Sequence, residues 1–179
     1  HDTAGRNRAY EARDPQFLLW VHCAFTDSFL KAHLALGFPL SRGADAYVSE
    51  WRRSAAPLGL ASAPDSVAAL ERELDRFRAE DLVVTDVTRR VVRFILHPPF
   101  GPVARLFYRV LCNAAIVTLD PRDRTHLGLP RRRRYWLILA RAGLTVLRAI
   151  LGSESPSQRL ARARIARLRA AATDLASSV

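Results

Sequence analysis

The sequence predicts an all-α fold, a single helical domain of about seven helices. Three observations lead to this prediction. Apolar residues recur at helical spacing in every long segment, proline or glycine marks the ends of those segments, and no convincing alternating strand occurs. The 179 residues suffice for one domain with a real core, and a hydrophobic content of 49% excludes a disordered chain.

The first predicted helix is the most clearly marked. It begins at Asp14-Pro15, because aspartate accepts from free backbone N–H groups and proline at the first helical position loses no hydrogen bond. It runs to about Leu36 and ends at Gly37. At about 100° per residue, one narrow apolar stripe forms, which we expect to be buried. The stripe consists of Leu18, His22, Phe25, Phe29, His33 and Leu36.

The remaining predicted helices follow between proline-marked joints. Pro64-Asp65-Ser66 opens the third helix and Thr85-Asp86 caps the fourth. Asp120-Pro121 ends the fifth helix, and a loop follows. The predicted ranges of four of these helices are 44–55, 87–96, 103–119 and 131–151. The third helix extends to about Glu80, and a last helix opens at Ser155-Pro156.

The charge and hydropathy of the sequence limit the kinds of partner that we expect. The net charge is +11, but all except one of the 28 basic residues are arginine, a bias that we discount as evidence for nucleic acid. No helix-turn-helix signature occurs, and no aromatic residue interleaves with the C-terminal arginines, so we expect no nucleic-acid partner. No uninterrupted apolar stretch of ~20 residues occurs, which predicts a cytoplasmic chain without a transmembrane segment.

The run Arg131–Arg134 allows three interpretations. It could bind phosphates, anchor a peripheral membrane contact together with the aromatic and aliphatic residues that follow, or simply form a solvated helix start. Four cations are unusual at a helix N-terminus, which is already electropositive. An acidic neighbour, either Asp120 and Asp123 or a ligand, would relieve this charge.

The usual catalytic and metal-binding signatures are missing from the sequence, so we assign neither a catalytic residue nor a metal ligand. Cys23 and Cys112 lie in apolar stretches and are interpreted as buried thiols. His22 and His33 share a face but lie about 16 Å apart along the helix axis, too far to bind one ion together.

His22 is nevertheless the leading candidate for a functional residue. A neutral imidazole on an apolar stripe must be hydrogen-bonded within the core, bind a metal or face a cofactor. His97, directly before Pro98-Pro99, is instead predicted to end a helix by bonding a free carbonyl.

An ordered block around His22 carries a family resemblance. The block consists of Tyr10, Ala12, Asp14, Pro15, Trp20, Val21 and His22, and the signals Asp45-Ala46-Tyr47, Glu50 and Pro98-Pro99 follow at suitable distances. Together they resemble the bacterial family that groups MpaB-type oxygenases with the latex-clearing rubber oxygenases. The resemblance covers roughly residues 5–134.

The resemblance implies an all-α oxygenase that binds haem b and uses dioxygen to cleave carbon–carbon double bonds in a hydrophobic small-molecule substrate. It also implies a proximal histidine and distal Arg and Thr residues on earlier helices, which would precede His1. No proximal ligand is therefore carried over to this chain, and we expect residues 1–179 to be the C-terminal part of a longer oxygenase-like domain. The resemblance does not identify the substrate.

The match at His22 favours a cofactor-binding role for this residue. It could orient a haem propionate, line the pocket or supply an iron ligand. The alternative function is a non-catalytic helical module whose apolar pocket takes a lipid or another hydrophobic small molecule.

Overall fold

A computed structural model describes residues 11, 13–37, 39–151 and 159–168. Within these residues the chain is entirely helical apart from turns and connections, without a strand, which confirms the predicted all-α class. The α-helices are α1 (Pro15–Leu36), α2 (Gly43–Trp51), α3 (Val67–Glu80), α4 (Asp86–Leu96), α5 (Pro102–Thr118), α6 (Pro121–His126), α7 (Tyr135–Leu151) and α8 (residues 159–168).

The chain divides into two compact units, one that extends to Ala140 and one that begins at Arg141. The first contains α1 to α6 and the first turns of α7. The second contains the rest of α7 and α8. The core and both sites described below belong to the first unit.

The hydrophobic core lies where α1, α2 and α3 meet. Its buried members are Cys23, Leu30, Val48, Leu70 and Leu74. The ring of Trp20 on α1 meets that of Phe77 on α3 edge-on, with the ring centroids 5.3 Å apart, and α5 packs against the same long helix α1. Helix α1 is therefore the element around which the first unit is assembled.

The helix ends follow the predicted capping signals. The Asp14 carboxylate accepts from the Gln16 backbone N–H at 2.9 Å, and Gly37 ends α1 in the left-handed region at φ 76°. Ser66 and Thr85 cap α3 and α4 through their hydroxyl groups. These ends depend on contacts within four residues, so the sequence predicts them well.

The second predicted helix is shorter than expected. It ends as an α-helix at Trp51 and continues as two short 3-10 turns, Arg52–Ser54 and Ala56–Leu58. Pro57 has no backbone N–H to continue an α-helical ladder, and Gly59 closes the second turn in the left-handed region at φ 75°.

The region between α5 and α7 differs from the prediction in two ways. Asp120-Pro121 does not only end a helix but also begins α6, because Asp120 accepts from the Arg122 backbone N–H at 2.8 Å. Helix α7 begins at Tyr135 rather than Arg131, so the four arginines precede the helix. This start keeps the arginines out of the electropositive first turn.

The predicted burial of the α1 stripe is correct for His22 but wrong for Phe25 and Phe29, which are 54% and 46% exposed. The buried residues of α1 are His22, Cys23, Thr26 and Leu30, because α2 and α3 cover that side of the helix. The predicted opening of the last helix at Ser155-Pro156 lies outside the described residues.

Candidate functional site

His22 lies in the second turn of α1, with only 4% of its surface exposed. Burial lowers the pKa of its imidazole below the ordinary value of 6.5, because the charged form loses its hydration. The ring is therefore neutral at neutral pH. A neutral imidazole is the form that binds metals or contacts an apolar cofactor.

Ser54 lies within hydrogen-bonding reach of the His22 ring. The Ser54 hydroxyl donates to the Trp51 carbonyl at 2.8 Å, and its oxygen lies 3.5 Å from His22 Nδ1. Because the hydroxyl hydrogen is already used, Ser54 Oγ can only accept from Nδ1–H. With the proton on Nδ1, the lone pair of the neutral ring lies on Nε2.

An aromatic row extends along α1 after His22 and onto α2. We use this name for five rings: Phe25, Phe29, His33, Tyr47 and Trp51. Phe25 stacks on Phe29 with the centroids 5.9 Å apart, and Phe29 stacks on Trp51 at 5.4 Å. The Tyr47 ring links Trp51 to His33, at 6.3 and 5.5 Å. The half-exposed rings of Phe25 and Phe29 form a surface suited to a flat apolar ligand.

The two cysteines differ in their surroundings. Cys23 is fully enclosed, and burial, together with the charge of Glu73, raises the pKa of its thiol to about 12. It is therefore an inert core residue, as predicted. The prediction is wrong for Cys112, which is only partly buried and lines a pocket.

That pocket lies between the C-terminal end of α4, one face of α5 and the loop that precedes α7, and its volume is about 620 Å³. We call it the basic pocket, because Arg105, Arg109 and Arg132 line it. His97 lies at its edge and ends α4 as predicted, with Nδ1 donating to the Arg93 carbonyl at 3.2 Å.

Sequence reasoning singled out Arg132 and His97 but missed Arg105 and Arg109 as their neighbours. The only available signal was the four-residue spacing of Arg105 and Arg109, which places both on one face of α5. The structure does not bring the basic pocket and His22 together. Neither His22, Ser54 nor any member of the aromatic row lines the basic pocket.

The other histidines form no joint site with His22. His33 belongs to the aromatic row, His126 lies exposed on α6, and His1 lies outside the described residues. Across the described ranges, no three His, Cys, Asp or Glu side chains come together as a metal site.

Comparisons with known proteins identify the family. Searches of curated proteins and of solved structures found no match. Within the described ranges, no helix has both the length and the apolar character needed to cross a bilayer. A family profile described as "ER-bound oxygenase mpaB/B'/Rubber oxygenase, catalytic domain" matches residues 1–171. This match includes the whole His22 block, so the chain belongs to the MpaB and rubber oxygenase catalytic-domain family.

Proposed function

We propose that this protein is a haem b-dependent oxygenase that acts on a hydrophobic small molecule with dioxygen, and that His22 contributes to its cofactor pocket. Membership of the oxygenase family supports the reaction class. The observation that carries the proposal is the buried imidazole of His22, whose pKa is lowered, on the same helix as the stacked rings of Phe25 and Phe29.

The residues present fit a haem group in two respects. His22 offers a neutral imidazole with its lone pair on Nε2, the nitrogen that is free of the Ser54 contact. Phe25 and Phe29 offer stacked, half-exposed ring faces, which suit the flat apolar body of a macrocycle. When bound, haem supplies the binding and activation of dioxygen.

The chain itself contributes positioning and exclusion of water. Ser54 contacts the His22 ring at Nδ1, and the α1 residues Cys23 and Thr26 are, like His22, buried. The buried Thr26 hydroxyl donates to the His22 carbonyl at 2.8 Å. This hydrogen bond satisfies the hydroxyl group, which would otherwise be unpaired beside the core.

The alternative is a non-catalytic helical module that binds a lipid or hydrophobic small molecule on the same aromatic row. The two functions differ in one observable. A haem protein has an intense Soret absorption band, whereas a lipid-binding module purified in the same way has none.

The test is a visible absorption spectrum of the protein expressed from its complete coding sequence, compared with a His22→Ala variant. We expect a Soret band in the parent protein, and a weaker or shifted band in the variant with unchanged helical circular dichroism. His126→Ala, a histidine exposed on α6, serves as the matched control.

Two results would contradict the proposal. The absence of a Soret band in the parent protein after reconstitution with haem would favour the lipid-binding module. A spectrum that is identical in parent and His22→Ala protein would show that His22 has no part in the cofactor pocket.

A further inference from the structure

We propose that the basic pocket is a second binding site, which takes a carboxylate or phosphate group attached to an apolar body. Its volume of about 620 Å³ lies within the range of small-molecule sites, roughly 300–1,000 Å³. The site is independent of the proposed haem site, because its lining shares no residue with His22 or the aromatic row.

The charge of the basic pocket calls for an anion. Three arginines with exposed side chains line it, Arg105, Arg109 and Arg132, and no lining residue is acidic. Three positive charges around one concave surface attract an anion more strongly than three dispersed ones. Arginine in particular pairs with planar carboxylate and phosphate oxygens through two hydrogen bonds at once.

The protein does not neutralise this charge from within the described residues. Neither Arg109 nor Arg132 has a carboxylate partner there, and Arg105 donates only to the Phe100 carbonyl at 3.0 Å. The nearby aspartates that the sequence suggested as partners for the Arg131–Arg134 run form ion pairs with other residues. Asp123 pairs with Arg78 and Asp120 with Arg122.

The rest of the lining is apolar or already bonded. Leu96, Pro98, Pro99, Ile116 and Trp136 supply hydrocarbon and ring surface. The Tyr108 hydroxyl donates to the Ile95 carbonyl at 2.8 Å, and Asn113 Nδ2 donates to the Arg109 carbonyl at 2.7 Å. These internal bonds hold the wall in place, so the unpaired arginines are the groups left to recognise a ligand.

The combination of cations and apolar walls distinguishes an amphipathic anion from a free inorganic one. Inorganic phosphate would contact the arginines but leave the apolar wall of the pocket exposed to water. An alkyl phosphate or a fatty acid would contact both the arginines and the apolar wall. We therefore expect the apolar part of the ligand to contribute to its affinity.

The first test is isothermal titration with dodecyl phosphate below its micelle concentration, with inorganic phosphate and dodecyl maltoside as separate arms. We expect dodecyl phosphate to bind and the other two to bind at least about tenfold more weakly. Equal binding of inorganic phosphate would overturn the apolar part of the proposal. Equal binding of dodecyl maltoside would overturn its anionic part. Binding only to phosphatidylglycerol vesicles would show a membrane contact instead.

The second test uses Arg109→Gln and Arg132→Gln, whose side chains make no ion pair in the described part of the chain. Each variant should weaken dodecyl phosphate binding by about tenfold. Arg72→Gln, an exposed position on α3 outside the pocket, removes the same charge and should leave binding unchanged. An equal loss of dodecyl phosphate binding in Arg72→Gln would show that binding depends only on the net charge of the protein, and would overturn the proposed site.

Cys112 supplies a readout that needs no variant, because it lines the basic pocket whereas Cys23 is fully enclosed. Dodecyl phosphate should slow the alkylation of Cys112 by iodoacetamide. An unchanged rate at saturating ligand would show that the ligand binds elsewhere.

Haem is itself an amphipathic dicarboxylate, so the two sites must be separated. Arg109→Gln should keep the Soret band of the parent protein while losing dodecyl phosphate binding. Loss of both the Soret band and dodecyl phosphate binding would show that the two ligands share one site, and would overturn the independence of the basic pocket. Because this test reads each ligand separately, failure of the haem proposal leaves it intact.

Discussion

At the scale of single residues, the α1 helix shows how burial depends on neighbours rather than on hydrophobicity. Thr26 is buried while Phe25, the residue before it, is more than half exposed. Both residues fit a helix, and only the position of α2 and α3 decides which of them faces the core. The exposed phenylalanines are therefore available to a ligand.

This difference predicts unequal costs of truncation. Leu70→Ala removes a core side chain that is only 1% exposed, and we expect it to lower the free energy of unfolding by about 2–5 kcal/mol. Phe25→Ala should cost about 1 kcal/mol or less, since much of the ring is already in water. Urea denaturation of both variants checks this, and equal losses would show that Phe25 belongs to the core.

His22 also predicts a pH dependence of stability. Its pKa is lowered in the folded protein, so the unfolded chain binds the proton more readily. The contribution is fully present above the ordinary pKa of 6.5 and is lost as the pH falls through the lower folded value. His22→Gln should therefore reduce the loss of stability between about pH 7.5 and pH 5. His126→Gln should retain it, and an unchanged pH profile in His22→Gln would contradict the prediction.

At the scale of elements, an ion-pair network ties α6 to α3. The Arg78 guanidinium donates two hydrogen bonds to the Asp123 carboxylate, both at 2.8 Å, and its side chain is only 10% exposed. Asp75 links Arg78 to Arg122, and hydrogen bonds from these arginines, first that of Arg122, lower the pKa of Asp75. The short helix α6 thus gains a fixed place from charges that are distant in sequence.

Breaking this network should cost more than breaking a surface pair. Asp123→Asn leaves the largely buried Arg78 without its bidentate partner, and we expect a loss of about 1–3 kcal/mol in the free energy of unfolding. Glu50→Gln removes the exposed pair with Arg42 and should cost below about 1 kcal/mol. Chemical denaturation of the two variants measures both costs. Similar small losses in the free energy of unfolding would show that other contacts hold α6 in place.

At the scale of the whole molecule, buried residues are unevenly distributed over the described helices. The core cluster draws its residues from α1, α2 and α3, whereas α4 has no buried residue. Large apolar side chains on α4 are exposed instead, among them Val91, Phe94 and Ile95.

This distribution predicts the order of amide hydrogen exchange. Backbone amides of α3 should exchange slowly, because they open only with the core, and those of α4 should exchange much faster. Mass-spectrometric hydrogen exchange on peptides from the two helices measures the difference. Equal protection of α4 would indicate that another surface covers its apolar face.

Local sequence signals are sufficient to predict the helical class, most helix ends and the family. Asp14-Pro15, Gly37, Ser66 and Thr85 act on backbone groups within a few residues, so these ends need no knowledge of the fold. The same local rule, applied to Asp120-Pro121, would also have located α6.

Which side of α1 is buried, and which charged side chains form pairs, depends on how the helices pack. The aromatic row joins α1 to α2, and the basic pocket joins Arg132 to Arg109 across a turn and a loop. Arg78 meets Asp123 although 45 residues separate them. Helical periodicity describes each face but not its partner, because the partner depends on how the helices pack against one another.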